Sequence, residues 1–279
     1  MPVNTAITMK YPLFTALLIV MLLASIPVIG QGYEGEKKSW CGFDRYDFTF
    51  ENLPATVVVP KKASEGRPWL WNAMFFSHKT NVDSTLLARG FHVVYLGAVD
   101  RFGSPEAVEI WNRFYQHLTK TYRFSNKVAL EGISRGGLYV YNWAAANPTR
   151  VTCIYADAPV CDFKSWPGGF GKGKGDAAEW QKCLKEYGFI SNLEAFNYRQ
   201  NPIDQLPVLA KARIPLLHVT GDVDDIVPME ENTSVIENKY KSLGGNIKVI
   251  VKPGVDHKHG LDNPAPITDF ILKHSLSAE

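Results

Sequence analysis

Apolar positions along this chain fall into two rhythms. In the body of the chain the first is a strict alternation, Tyr46-Asp47-Phe48-Thr49-Phe50. After Asn52-Leu53-Pro54 it is followed by Ala55-Thr56-Val57-Val58-Val59, and together these predict the two strands of a hairpin. Residues 60–67 are polar and predict a loop. Apolar runs over 68–76 and 91–96 predict a third and a fourth strand, with a short helix over 83–89 between them. From there strands and helices alternate. Helical spacing covers 105–122, 135–147 (stopped by Pro148) and 266–274, and strands are predicted over 127–131, 151–155, 214–219 and 247–251. Near-continuous apolar strands separated by helices indicate a parallel sheet covered on both faces, because each crossover helix lies against the sheet. The hairpin at the start makes the predicted sheet a mixed one.

Residues 157–209 break the rhythm. They separate two predicted strands by far more chain than one crossover needs, and they are rich in Gly and Trp. They read as a lid-like insertion within one α/β domain over 31–279, not as a second domain. A chain of 279 residues, 46% hydrophobic, is long enough to bury one large core. Its net charge of +2, from 30 basic and 28 acidic residues, gives no nucleic-acid surface.

The first thirty residues stand apart. Lys10 precedes an apolar run over 11–29, and no acidic residue occurs before Glu34. That order is the pattern of a secretory signal peptide over 1–30, cut near Gln31 with Val28 and Gly30 at the small positions. The alternative is an uncleaved anchor, since the run approaches the length of a short spanning helix. Cleavage is the expectation, giving a secreted or periplasmic protein with no stable membrane insertion. In an oxidising compartment the four cysteines, Cys41, Cys153, Cys161 and Cys183, permit disulfides. Cys161–Cys183 is the favoured pair, and buried free thiols are the alternative. No CxxC or HxxxH spacing suggests a metal site.

Three short segments carry candidate chemistry. Gly132-Ile133-Ser134-Arg135-Gly136 matches Gly-x-Ser-x-Gly between a predicted strand and a predicted helix. A serine on that tight bend presents its hydroxyl at the sheet edge. The backbone N–H of Arg135 would then face a developing oxyanion. A nucleophilic serine needs a base and the base needs an orienter. Gly221-Asp222-Val223-Asp224-Asp225-Ile226-Val227-Pro228 and Gly254-Val255-Asp256-His257-Lys258-His259 follow the last two predicted strands. Both therefore sit at the carboxyl edge of the sheet, where such folds place their sites. The run 168–175 nearly matches a phosphate-binding loop but has Gly175 where Ser or Thr must hold Mg²⁺, so that reading is rejected.

These segments resemble the α/β-hydrolase superfamily from about Trp40 to Leu276. More narrowly, the runs around Ser134, the Ala158-Pro159-Val160-Cys161-Asp162 segment and the closing helix resemble secreted bacterial hydrolases linked to polysaccharide breakdown. That group is similar to prolyl-oligopeptidase-like and acetyl-xylan-esterase-like enzymes. The resemblance implies an α/β-hydrolase fold with Ser134 as nucleophile, His257 as base and Asp224 as orienter. Asp222, Asp225 and Asp157 are rivals to Asp224, and His259 is a rival to His257. The fold also implies a second oxyanion donor after the third strand, where Ser77 stands, unless Phe76-Ser77-His78 is a plain strand end. The Ser-Arg-x-Gly elbow is similar to that of glucuronoyl esterases, which implies that the Arg135 guanidinium meets a substrate carboxylate or strengthens the oxyanion site. The bland alternative is a salt bridge to Glu131 or Asp157. Trp166, Phe170 and Trp180 form either an aromatic wall for a sugar or part of the core. His92 and His218 are expected in the core, and His117 and His274 on helix surfaces.

The expected function is a secreted carboxylic-ester hydrolase acting on a small-molecule or carbohydrate ester, with no metal or organic cofactor. A serine peptidase of the prolyl-oligopeptidase type is the second reading, although such enzymes usually carry an N-terminal propeller for which this sequence has no room. A non-catalytic binding protein on the same fold is the third.

Overall fold

The computed structural model describes residues 1–3, 32–78 and 80–276. Residues 4–30 of the expected signal peptide, and its cut near Gln31, lie outside these residues.

The body of the chain is built on one sheet of nine strands among the described residues: β1 (Glu36–Trp40), β2 (Phe43–Phe50), β3 (Leu53–Val59), β4 (Trp69–Asn72), β5 (His92–Leu96), β6 (Val128–Ile133), β7 (Val151–Asp157), β8 (Leu216–Gly221) and β9 (Ile247–Lys252). Their spatial order is β1-β2-β3-β5-β4-β6-β7-β8-β9. The pairs from β1 to β5 are antiparallel, and those from β5 through β4 and β6 to β9 are parallel. The chain winds first toward β5 and then, after β6, away in the other direction. The carboxyl ends of β4 and β6 therefore flank the switch point, the place where open α/β sheets form clefts. This is the α/β-hydrolase fold.

The helices cover both faces. On one face α1 (Thr80–Ala88) and α8 (Ala265–Leu276) pack Leu86, Leu87, Ile267 and Ile271 onto Leu70, Val93, Ala129 and Leu217. On the other lie α2 (Pro105–Thr121), α3 (Gly136–Ala146) and α7 (Thr233–Ser242). There Trp71 of β4 stacks on Trp111 of α2 at 4.0 Å between ring centres, with Trp143 of α3 edge-on at 5.4 Å. Helix α2 begins where the sequence signals it: Pro105 occupies the first turn, and the Ser104 hydroxyl accepts the Ala107 N–H.

The insertion folds as α4 (Ala177–Tyr187), α5 (Asn192–Asn197) and α6 (Leu206–Lys211). Asp176 caps α4 by accepting from Ala178 and Glu179, and Gly188 closes it in the left-handed conformation. The expected Cys161–Cys183 disulfide is not formed. All four cysteines are free thiols, and burial holds the Cys153, Cys161 and Cys183 thiols up in their protonated form, as small apolar core residues. Strand β4 is shorter than the apolar run that suggested it, because 73–76 leaves the sheet to line the cleft. Among the described residues no helix is long and apolar enough to cross a membrane.

Candidate active site

Ser134 lies between β6 and α3 with φ of 50°, a strained left-handed conformation for a residue with a side chain. The bend is held on both sides. Its N–H donates to the Asp157 carbonyl at 2.8 Å, and its carbonyl accepts from Gly137 at 3.0 Å and Val160 at 2.9 Å. Gly132 makes the bend possible: a Cβ there would stand 2.6 Å from Val140 Cγ2 and 2.9 Å from the Gly136 carbonyl oxygen.

The bend brings Ser134 Oγ to 2.9 Å from His257 Nε2. His257 Nδ1 lies 2.6 Å from Asp224 Oδ2. The other Asp224 oxygen accepts the N–H groups of Ile226 at 2.9 Å and Val227 at 2.8 Å, so its own turn fixes the carboxylate. The Asp224 side chain is fully buried and that of His257 is 19% exposed. A buried carboxylate on Nδ1 requires the proton there, which leaves Nε2 free to accept the serine proton.

The rival residues have other partners. The Asp222 carboxylate accepts from the Gly254 N–H at 2.7 Å, tying the acid loop to the histidine loop. Asp225 pairs with Lys174 at 2.6 Å. Asp157 and His259 form a second carboxylate–imidazole pair: His259 Nδ1 stands 3.6 Å from Asp157 Oδ1, and its ring meets His257 edge-on at 4.7 Å. The other Asp157 oxygen accepts from Tyr155 and from the Gly260 N–H. Sequence reasoning treated these two as competitors for roles and did not see that they would pair with each other.

Two clefts reach residues of the site, one Arg135 and the other His257. One, of about 630 Å³, is lined by Arg45, Phe75, Phe76, Ser77, Tyr95 and Arg135. The other, of about 680 Å³, is lined by His78, Lys252, His257, Lys258 and His259. A larger cavity of about 750 Å³ opens at the opposite end of the sheet, around Lys127, Thr152 and Ile214, and contains none of these groups. Ser77 and Arg135 thus share one cleft. The Ser77 hydroxyl is occupied, accepting from the Trp40 indole at 2.8 Å. The Arg135 guanidinium does form salt bridges, but neither with Glu131 nor with Asp157: its near partner is Glu179 of α4, at 2.8 Å, with Asp100 farther off at 3.9 Å. Glu131 points away into the α1 face, where it accepts from Asn72.

Trp180 is 5% exposed, among Phe163 and Phe170, with its indole donating to Asn192. An open sugar-stacking face at Trp180 is therefore not available. Trp166 is half-buried against the core beside Phe102. His92 and His218 are buried as expected, and burial pushes both down to about 3. His117 is half-buried on the helix surface, its ring near Phe48, Phe50 and Phe114 and its Nε2 3.4 Å from the exposed Glu34 carboxylate. Among the described residues no three His, Cys, Asp or Glu side chains converge as metal ligands.

Residues 86–276 match the prolyl oligopeptidase family. The chain belongs to that family. No curated protein matches the sequence. Among solved structures, this prolyl oligopeptidase-family chain is similar to the acylaminoacyl peptidase of Pyrococcus horikoshii, with a TM-score of 0.66 and 18% identity over 85% of this chain and 42% of that one. A puromycin-hydrolyzing peptidase of Mycobacterium tuberculosis gives 0.65 and 12% over 84% and 38%. An S-formylglutathione hydrolase from Agrobacterium tumefaciens gives 0.59 and 14%, over 86% of this chain and 95% of that one. The chain spans about two fifths of the length of the two peptidases and nearly all of the third protein. At these identities the likeness is one of fold.

Proposed function

We propose that this chain is a secreted serine hydrolase that cleaves carboxylic esters through an acyl-enzyme. Ser134 Oγ attacks the ester carbonyl while His257 Nε2 takes its proton. The buried Asp224 carboxylate holds the imidazole and stabilises its charged form. The backbone N–H groups of Arg135 and Ser77 are the donors for the oxyanion. His257 then returns the proton to the leaving alcohol, and water releases the acyl group by the same steps in reverse. The observation that carries this reading is the continuous relay of 2.9 Å and 2.6 Å from Ser134 through His257 to Asp224.

An acyl or uronoyl ester on a plant-type carbohydrate is the proposed substrate. The aromatic cleft with Phe75, Phe76 and Tyr95 supports a sugar, and the Arg135 guanidinium in the same cleft, paired with Glu179, supports an acidic group on it. Secretion is supported by the N-terminal pattern of charge and apolar residues. Peptidase activity is the second reading, favoured by the family match and by the two peptidases of similar fold.

Turnover of p-nitrophenyl acetate and of a prolyl p-nitroanilide, each with a Ser134→Ala control, tests both readings. Ester turnover that falls by about 10⁴-fold or more in the variant is the expected result. Anilide turnover with the same dependence replaces the esterase reading with the peptidase one. Ester turnover that survives Ser134→Ala removes Ser134 from the chemistry.

A further inference from the structure

The glycine–lysine run over 168–175 lies against the turn that carries Asp224. Gly173 comes so close that a Cβ there would stand 2.9 Å from Pro228 Cδ and 3.1 Å from the Ile226 carbonyl oxygen. The Lys174 N–H donates to the Asp225 carbonyl at 3.0 Å, and its ammonium pairs with the Asp225 carboxylate at 2.6 Å. Lys172 reaches Glu230 at 2.8 Å, and its N–H donates to the Glu231 carboxylate. The second Glu231 oxygen accepts from the Ser165 hydroxyl at 2.7 Å. Ser165 Oγ in turn accepts from Asn232 Nδ2 at 3.0 Å, which also donates to the Pro228 carbonyl at 3.0 Å. Asn232 Oδ1 accepts the Cys161 N–H at 2.8 Å.

These contacts differ in weight. The two lysine ion pairs join side chains that are all more than half exposed, and such pairs contribute little. Ser165 is 5% and Asn232 1% exposed, so the bonds that Asn232 makes to Ser165, Pro228 and Cys161 are shielded and costly to leave unmade, and the Ser165–Glu231 bond is partly so, whereas the Lys172 N–H bond to Glu231 is exposed. They join the root of the insertion to the residues just after the acid turn. That turn in turn supplies the two N–H groups that hold Asp224.

We propose that Glu231 is a positioning residue: together with the 165–174 strap it holds the 224–228 turn in the conformation that aims Asp224 at His257. The insertion then acts as a brace for the acid. The proposal rests on the reading of Ser134, His257 and Asp224 as a catalytic relay. Displacement of a reacting group by about 1 Å costs up to ~10²-fold in rate.

The test uses the full chain as wild type, Glu231→Ala, Glu231→Gln and Gly173→Ala. Steady-state hydrolysis of p-nitrophenyl acetate is measured with the rate of Ser134 labelling by a fluorophosphonate, and each variant is checked by thermal melting. In Glu231→Ala, kcat falls by about 10- to 100-fold with KM within about two-fold, and labelling slows in proportion. Glu231→Gln keeps the shape and one acceptor oxygen and recovers most of the loss. Gly173→Ala leaves Glu231 in place, pushes on the Ile226 carbonyl, and lowers kcat by a smaller factor. If Glu231→Ala does not fold, the other two variants decide. Wild-type kcat and labelling in folded Glu231→Ala or Gly173→Ala overturn the proposal, as does a loss confined to KM. A wild-type chain that is not labelled at Ser134 overturns the relay itself, which is a separate and earlier failure.

Discussion

Asp83 on α1 and Glu131 on β6 are both buried on the sheet face opposite α3, with Asn72 of β4 donating to Glu131 at 3.3 Å. No cation faces them among the groups that shift their titration. Burial pushes both carboxyls up, and the Asp83 charge pushes Glu131 up further. Asp83 rises to about 6, with the nearby polar groups of Glu131 and Asn72 pulling partly the other way. A carboxyl raised in the folded state binds its proton more tightly there than in the unfolded chain. Its contribution to stability is thus full below the ordinary value near 4 and is lost as pH rises through about 6. At pH 7 Asp83 costs up to about 3 kcal/mol relative to a neutral residue of the same shape. Asp83→Asn is expected to raise the unfolding free energy at pH 7 by a substantial part of that amount and to change little at pH 4. Urea titrations at the two pH values check this, and an equal effect at both would show that Asp83 does not titrate with folding. The buried imidazoles work in the opposite direction. His92 and His218 are pushed down to about 3, so the stability they contribute is present above about 6.5 and is lost as pH falls toward 3.

At the scale of elements, the insertion touches the site twice, through the strap on the acid turn and through α4 on the elbow. Glu179 of α4 neutralises Arg135 at the mouth of the aromatic cleft and also pairs with Lys182 at 2.7 Å. Glu179→Gln keeps the side-chain shape but leaves the guanidinium only the more distant and exposed Asp100 carboxylate, at 3.9 Å. Its expected effect is a fall in KM of roughly 3- to 10-fold for a p-nitrophenyl ester whose acyl group carries a carboxylate, with p-nitrophenyl acetate unchanged. Equal changes for both esters would remove Arg135 from charge recognition. Elements differed in how visible they were before folding. Strands β3, β5, β6 and β8 read clearly because burial on both faces selects unbroken apolar runs. Strand β1 did not, because Glu36-Lys37-Lys38-Ser39 is an exposed edge with charges that protect it, and only its pairing with β2 makes it a strand. Helix α7 was missed because its inward face is little more than Thr233, Ile236 and Tyr240. The elbow, the acid turn and the histidine loop were legible from motif and chain order. His257 and His259 are two residues apart on one loop, and only the path of that loop separates the one facing Ser134 from the one facing Asp157. The Glu179 and Glu231 contacts join residues dozens of positions apart and leave no periodic trace.

For the molecule as a whole, the site depends on β4 and β6 holding their ends in register across the switch point. Asn72 pairs with Glu131 at the last step of that ladder, and the Ala73 N–H continues it to the Glu131 carbonyl at 2.9 Å. Beyond that point one strand gives the 75–77 turn and the other gives Ser134. The side chain that locks β4 against the helices below is Trp71, which is fully buried and in contact with Trp69, Trp111, Phe114 and Trp143 at ring distances of 4.0–5.7 Å. A ring of that size in a dry core makes the packing around it hard to collapse, so truncation leaves a cavity as well as losing transfer free energy. Trp71→Ala is expected to cost about 3–5 kcal/mol. At roughly 2–4 °C per kcal/mol for a domain of this size, the melting temperature should fall by about 10 °C. Because the cavity lies beneath the sheet and not in the cleft, fluorophosphonate labelling of Ser134 well below the melt should slow far less than it does in Glu231→Ala. A melting temperature within about 2 °C of wild type would show that the aromatic stack does not carry the core, and labelling lost in a still-folded Trp71→Ala would show that β4 position is set by this one ring.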